Sequence, residues 1–307
     1  MPAPKGRQKR FTRWPQRVEV MKRYMKGAFY EMGKKGQLTS AHNLGHVQRV
    51  SLYAREYVRL MGGSKKKQVL ANIAGLTHDR FRDADDSMAQ RAKGIRTHEE
   101  GSAEFMRSLF EKRYGKKSVA RIHEAMARHG SLPELKDVGK NLVRDAVVFA
   151  DKFFEANGAY IGFRRAMFMG ERADLRKKAV EKGYDLSNPA DRQKAAIDFT
   201  LSESKKRIAA FSDLSKIPEH LHPFLRYQVA WQERLVEGLE KNNAGIVHLA
   251  TELYSEGLKA NPRDLGEVIK AYKPIAESDA AFKQEALDYL NGKLVEKFRQ
   301  LVKRPAS

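Results

Sequence analysis

An all-α fold is predicted, and three observations predict it. Apolar residues recur at helical spacing through nearly the whole chain, strand-like alternation is almost absent, and prolines such as Pro189, Pro218, Pro223, Pro262 and Pro274 fall at breaks or first turns. The 307 residues suffice for one large domain or two modest ones. No fixed-period repeat interrupts the pattern.

Taken in order, residues 1–16 read as a disordered basic arm, charged by Lys5, Arg7, Lys9, Arg10 and Arg13 and punctuated by Pro2, Pro4 and Pro15. The periodicity predicts a helix over 17–33, ending near Gly33 or Gly36. Ser40 to Asn43 offers capping side chains for a second over 43–61, which stops at Gly62-Gly63. A third, over 65–77, carries Val69, Leu70, Ile73, Ala74 and Leu76 and runs into His78-Asp79. A polar loop follows from Arg80 to Arg96. Thr97 with Glu100 then forms a capping-box pattern for a helix over 98–113. Further helices are expected over 117–129, closed by Gly130 and Pro133, and over 138–156. From 165 onward the pattern stays helical, with Leu221, Phe224, Leu225, Val229, Leu235 and Leu239 at helical spacing and no chemistry-bearing cluster.

Composition narrows the chemistry. The absence of cysteine excludes disulfides, thiolate nucleophiles and Cys-ligated zinc or iron–sulfur sites, so any metal must be held by His, Asp or Glu. The net charge of +21 attracts anions: nucleic acid, nucleotides, acidic lipid or an acidic partner. No stretch approaches the roughly 18–20 apolar residues of a membrane span. The first residues lack the apolar core of a secretory signal, which makes the cytoplasm the expected compartment.

Six residues stand out because each occupies a helical row where an apolar side chain is expected. His46 lies in line with Val50, Ala54 and Tyr57; His98 heads the row of Ser102, Phe105 and Leu109; His129 follows Ile122 and Met126; Asp151 shares a row with Val143, Val147 and Phe154. His78-Asp79 sits at a helix end. Taken singly, each has a plain structural reading: a histidine satisfied in the core, an aspartate capping a turn. Together they place inward-facing imidazoles and carboxylates on five successive segments, and buried carboxylates need a cation. Imidazole and carboxylate ligands suit Zn, Mn, Fe, Co or Ni. His42, ahead of the second helix, is either a substrate contact or a cap. His123, His220, His222 and His248 read as surface or structural residues.

The order His46, His78-Asp79, Asp151 resembles the HD-domain superfamily of metal-dependent phosphohydrolases. The strings HNLGHVQRV (42–50), AGLTHD (74–79), RTHEEGSAEFM (96–106) and VVFADKFFEANGAYIG (147–162) are similar to that family's motifs, over about residues 40–170. Asn43 departs from the Asp usual after the first His, and Phe149 stands where the family carries an earlier Asp. The resemblance implies an HD-type helical bundle over 17–170, with 171–307 a helical extension or second domain. It implies that His46, His78, Asp79 and Asp151 bind one divalent metal (Mg is added to the candidates). His98 and His129 match the extra histidines of two-metal members, where the HD aspartate bridges both ions.

The function so implied is hydrolysis of a phosphate ester on a phosphorylated small molecule or nucleotide by metal-activated water. Arg49, one turn beyond His46, and Lys152, beside Asp151, are the first candidates to neutralise phosphoryl charge. Arg80, Arg82 and Arg96 flank the motif loop, His42 and Arg82 are candidate substrate contacts, and Asp83 or Glu99 could serve as acid or base. Two alternatives remain at this stage. One is a di-iron oxygenase built on the same ligands. The other is a non-catalytic nucleic-acid-binding protein using the arm, since residues 1–35 hold 11 Lys/Arg against 2 Glu.

Overall fold

The computed structural model describes residues 13–34, 43–80, 97–130, 135–259, 262–275, 277–290 and 293–303, and among these every regular element is helical. Fourteen α-helices divide between two compact units, one built mainly on residues 42–153 with the N-terminal helix, the other on 154–303. None of the described helices is long and apolar enough to cross a membrane.

The first unit contains α1 (Arg13–Lys34), α2 (Leu44–Leu60), α3 (Lys65–Thr77), α4 (His98–Tyr114), α5 (Lys116–Ala127) and α6 (Leu142–Phe149). Helix α1 begins at Arg13, inside the stretch the charge pattern assigned to an arm; the remaining arm residues, 1–12, lie outside the described residues. Of the five later starts, four follow a side-chain cap and α5 alone follows a glycine, Gly115. Asn43 accepts from the His46 amide, Ser64 from Lys67, Thr97 from Glu100 and Asn141 from Val143 and Arg144.

Helix α3 is the axis of this unit. It packs against α1, α2, α5 and α6, and residues 70–77 are buried on every side. A helix enclosed all round must be apolar or small all round, which the run Leu70-Ala71-Asn72-Ile73-Ala74-Gly75-Leu76-Thr77 nearly is. The polar exceptions are satisfied: Ser51 Oγ donates to both the carbonyl and the side-chain oxygen of Asn72 at 2.9 Å, and Thr77 donates to Ile73 O at 2.9 Å.

Gly75 sets how closely α2 and α3 approach. A Cβ there would stand 2.7 Å from Ser51 Cα and 2.9 Å from Ser51 N, both rigid backbone atoms. Gly75→Ala is therefore expected to destabilise the first unit by about 2–3 kcal/mol, read as a lower urea midpoint. An unchanged midpoint would show that the helices separate freely.

The sequence pattern predicts one helix over 138–156. Instead a 3₁₀ turn occupies Leu135–Asp137, α6 covers eight residues, and a single π-helical turn follows at Ala150–Glu155. The widening falls mostly beyond Asp151, so the row of Val143, Val147 and Asp151 does not continue with regular spacing to Phe154.

The second unit comprises α7 (Ala159–Glu171), α8 (Ala173–Glu181), α9 (Pro189–Ala210), α10 (His222–Glu240), α11 (Ala244–Gly257), α12 (Leu265–Ala271), α13 (Glu277–Leu290) and α14 (Lys293–Leu301). Helix α7 packs against α8, α9, α10, α11 and α13. Its closest neighbour is α11, where Gly170 lies against Tyr254 O and Gly257 against Met167 O, contacts that admit no side chain. Two aromatic clusters fill the rest, Phe154–Phe224–Phe298 and Phe163–Trp231–Phe282, with centroids 4.6–5.6 Å apart.

Glu256, at the end of α11, ties down the following loop. It accepts from the Arg263 amide at 2.8 Å, from the Arg263 guanidinium at 2.7 and 3.0 Å, and from Lys259 Nζ at 2.8 Å. The Arg263 hydrogen bonds, opposed by burial and assisted by Lys259, pull its carboxyl from 4.5 down to about 2. A depressed folded-state pKa stabilises the protein fully above the unfolded value and is lost as pH falls through about 2. Both cations are half-exposed, so screening trims the effect. Glu256→Gln should cost about 1–2 kcal/mol at pH 7 and nothing near pH 2, measured as the difference in denaturant midpoints.

Candidate metal centre

Four imidazoles and two carboxylates meet inside the first unit. His46 is the third residue of α2, turned inward by the Asn43 cap. His78 closes α3 and Asp79 follows it; His98 opens α4; His129 follows the end of α5; Asp151 stands in the π turn. His46, His78, Asp79, His98 and His129 are buried, and the Asp151 side chain is 12% exposed. Most of these ligands sit at helix ends, where one side chain is aimed by the last turn while the backbone is free to change direction.

The ligand atoms form three overlapping groups, His46–His78–Asp79, His78–His129–Asp151 and Asp79–His98–His129, and Asp79 turns one oxygen to each side. His46 Nε2 lies 3.3 Å from His78 Nε2, 3.4 Å from Asp79 Oδ2 and 3.4 Å from Asp151 Oδ1. His78 Nε2 lies 3.5 Å from Asp79 Oδ2 and 3.7 Å from Asp151 Oδ1. The other Asp79 oxygen, Oδ1, lies 3.4 Å from His98 Nε2 and 3.7 Å from His129 Nε2. A divalent ion with bonds of about 2.0–2.2 Å spaces its neighbouring ligands about 3.0–3.5 Å apart, so these groups have the dimensions of a coordination shell.

The outer ring nitrogens say which way the imidazoles are protonated. His78 Nδ1 is 2.8 Å from Gly75 O, and His129 Nδ1 is 2.6 Å from Met126 O. Both carbonyls belong to the last turn of a helix. His98 Nδ1 is 3.1 Å from Glu99 Oε2. A carbonyl or carboxylate can only accept, so Nδ1 of these rings carries a hydrogen and Nε2 is the atom turned toward the cluster. The Nε2 atoms of His78, His98 and His129 face carboxylate oxygens across 3.4–3.7 Å. Carboxylates buried in this way need positive charge beside them, from protonated imidazoles or from a cation. The donor set could hold a metal ion.

Asp151 has its carboxyl well below the ordinary range: burial alone would raise it, but His46, His78 and the Lys152 ammonium together outweigh burial. Lys152 Nζ is 2.9 Å from Asp151 Oδ2. Arg49 sits half-buried on α2, three residues after His46. His42, Arg82, Asp83 and Arg96 lie outside the described residues.

Two further residues had weaker signals in the sequence. Glu99 holds His98 in place, and Gly130 leaves it room, since a Cβ at 130 would stand 2.7 Å from Glu99 Oε1. Arg80, next to Asp79, lays its guanidinium carbon 5.9 Å from the ring centre of Tyr24 and 5.7 Å from that of Phe105. Those rings are themselves stacked at 5.4 Å. Tyr24 and Phe105 come from α1 and α4, and no local motif in the sequence announces their meeting. Of the histidines set aside from the site, His123 pairs with Glu104 at 3.1 Å, His222 is bonded to Ile217 O at 2.8 Å, and His248 stands 3.6 Å from Glu252.

Comparison with known proteins adds no relative: no family model, no curated protein and no solved structure matches the chain.

Proposed function

We propose that this protein is a metal-dependent phosphohydrolase of the HD type, cleaving a phosphate ester at the His/Asp centre of its first unit. One observation carries the reading: the Nδ1 atoms of His78, His98 and His129 are turned to Gly75 O, Glu99 Oε2 and Met126 O, and their Nε2 atoms gather around the two carboxylate oxygens of Asp79. Divalent ions bound there would supply hydroxide at neutral pH and Lewis-acid stabilisation of the phosphoryl group.

The protein's own part is positioning. His46, His78, Asp151 and Asp79 Oδ2 would hold one ion; His98, His129 and Asp79 Oδ1 would hold a second. Glu99, Gly75 O and Met126 O keep the rings from turning. Lys152, whose ammonium is 2.9 Å from Asp151 Oδ2, would receive phosphoryl oxygens. Arg49, three residues after His46, and Arg80, next to Asp79 with its guanidinium over Tyr24 and Phe105, are the other candidate cations.

The test is a panel of phosphomonoesters and phosphodiesters, assayed with Mn, Fe, Co, Ni, Zn and Mg on protein stripped by chelator, with oxygen consumption followed in parallel. Phosphate release that needs added metal supports the proposal. Oxygen uptake with iron and no phosphate release assigns the centre to an oxygenase instead. Salt-sensitive nucleic-acid binding with neither activity, and indifferent to metal, leaves only the binding reading.

A further inference from the structure

Helices α10, α13 and α14 of the second unit enclose a cavity of about 220 Å³ that shares no residue with the metal centre. Its inner surface is apolar and aromatic. Trp231 and Leu294 are each 3% exposed, and Trp231 is stacked on Phe282 with ring centroids 5.0 Å apart. Tyr227 forms a further wall. The indole Nε1 of Trp231 is buried and, among the described residues, has no hydrogen-bond partner. A residue of the wall thus holds a donor that the protein itself does not use. Size bounds the occupant. Ligand pockets commonly run about 300–1,000 Å³, so this one takes a single small molecule rather than a peptide or a nucleotide.

Five charged side chains line the cavity. Three are already paired: Glu285 with Arg234, and Asp288 with Lys293 at 2.8 Å. Glu296 and Lys297 remain. Among the described residues neither has an ion-pair partner, and the Lys297 ammonium lies over the Tyr227 ring, 5.4 Å from its centre. They are successive residues of α14. Successive residues on a helix do not face each other, so neither neutralises its neighbour. The cavity therefore presents a carboxylate and an ammonium from one turn of α14, together with an apolar, aromatic wall.

We infer that this cavity binds a free α-amino acid with an apolar side chain. The ligand's ammonium and carboxylate, carried on one carbon, answer Glu296 and Lys297, and its side chain packs on Leu294, Trp231 and Tyr227. A simple amine or a simple carboxylate answers one of the two charges and leaves the other. A phosphate would meet the carboxylates of Glu285, Asp288 and Glu296. The site goes beyond the reaction proposed for the metal centre and does not depend on it.

Trp231 is one of two tryptophans, the other being Trp14. Full-length Trp14→Phe protein therefore reports on the cavity by its fluorescence, and calorimetry gives the same constants independently. Chelator is present throughout, because amino acids also bind metal ions. L-Leucine, L-methionine and L-phenylalanine are titrated at constant ionic strength beside glycine, 3-methylbutylamine and 4-methylpentanoate. The last two are leucine without its carboxylate and leucine without its ammonium. The expected result is saturable binding of one apolar amino acid per chain. Glycine should bind at least about tenfold more weakly for want of a side chain to bury. Each leucine fragment should bind about threefold to fivefold more weakly than leucine. Glu296→Gln should remove the preference for leucine over 4-methylpentanoate, and Lys297→Met the preference over 3-methylbutylamine. Glu296 is exposed, so if Lys297→Met does not fold, Glu296→Gln decides. Absence of saturable binding, equal affinity for leucine and its fragments, or preferences that survive both substitutions overturn the site and leave a solvent-filled groove. Tighter binding of the amine or of the carboxylate alone also overturns it, in favour of a cation or an anion.

Discussion

Asp79→Ala is expected to abolish hydrolysis and to empty both metal positions at once. Asp79 turns an oxygen to each proposed ion: Oδ2 faces His46 and His78, while Oδ1 faces His98 and His129. Losing a shared anionic ligand should lower phosphate release by on the order of 10³-fold or more, since both the hydroxide source and the charge on the phosphoryl oxygens go with it. Stability gives a second readout. Saturating metal at a thousand times its Kd adds about 4 kcal/mol by mass action, or on the order of 10 °C in Tm for a unit of this size. Wild type should lose that increment in chelator, and Asp79→Ala should show no chelator effect. A variant that still binds two ions per chain and keeps the full Tm shift would refute the bridging role.

The second large effect separates the two proposed ions. His98→Ala with His129→Ala should remove one ion and leave the other on His46, His78, Asp79 and Asp151. His46→Ala should do the converse. Metal analysis after desalting is expected to fall from two ions per chain to one in both cases. Activity should drop by on the order of 10²-fold or more in both, because an in-line displacement then lacks one of its two charge-stabilising ions. If the His98/His129 variant holds the same number of ions as wild type, those histidines are not ligands; if it falls to one ion and keeps its full activity, the centre works with a single ion.

Which residues reach the centre was legible in the sequence to the extent that helical periodicity carries the information. His46 and His98 stand at the inward positions of regular helices with capped starts, so a row drawn from Val50 or Phe105 points the right way. Asp151 was legible on one side. Its row assumes a regular helix through 156, whereas the π turn at Ala150–Glu155 breaks the spacing beyond it, and periodicity has no term for an inserted residue. His78 and His129 lie just past helix ends, where spacing says little and the carbonyls of Gly75 and Met126 decide how the rings turn. Glu99 was visible only as a possible acid or base, because its contact with His98 depends on a rotamer. The grip of Tyr24 and Phe105 on Arg80 joins three distant segments.

By itself, the sequence determined that this protein is helical throughout, that its buried stripe carries imidazoles and carboxylates, and that any ion must be held by nitrogen and oxygen, because local periodicity and residue chemistry are properties of the chain. Only the tertiary structure decided that Asp79 turns its two oxygens to different histidines and that three Nε2 atoms converge on them. Distances between segments far apart in sequence are set by how whole helices pack, and a few tenths of an ångström at Gly75 or Gly162 govern them.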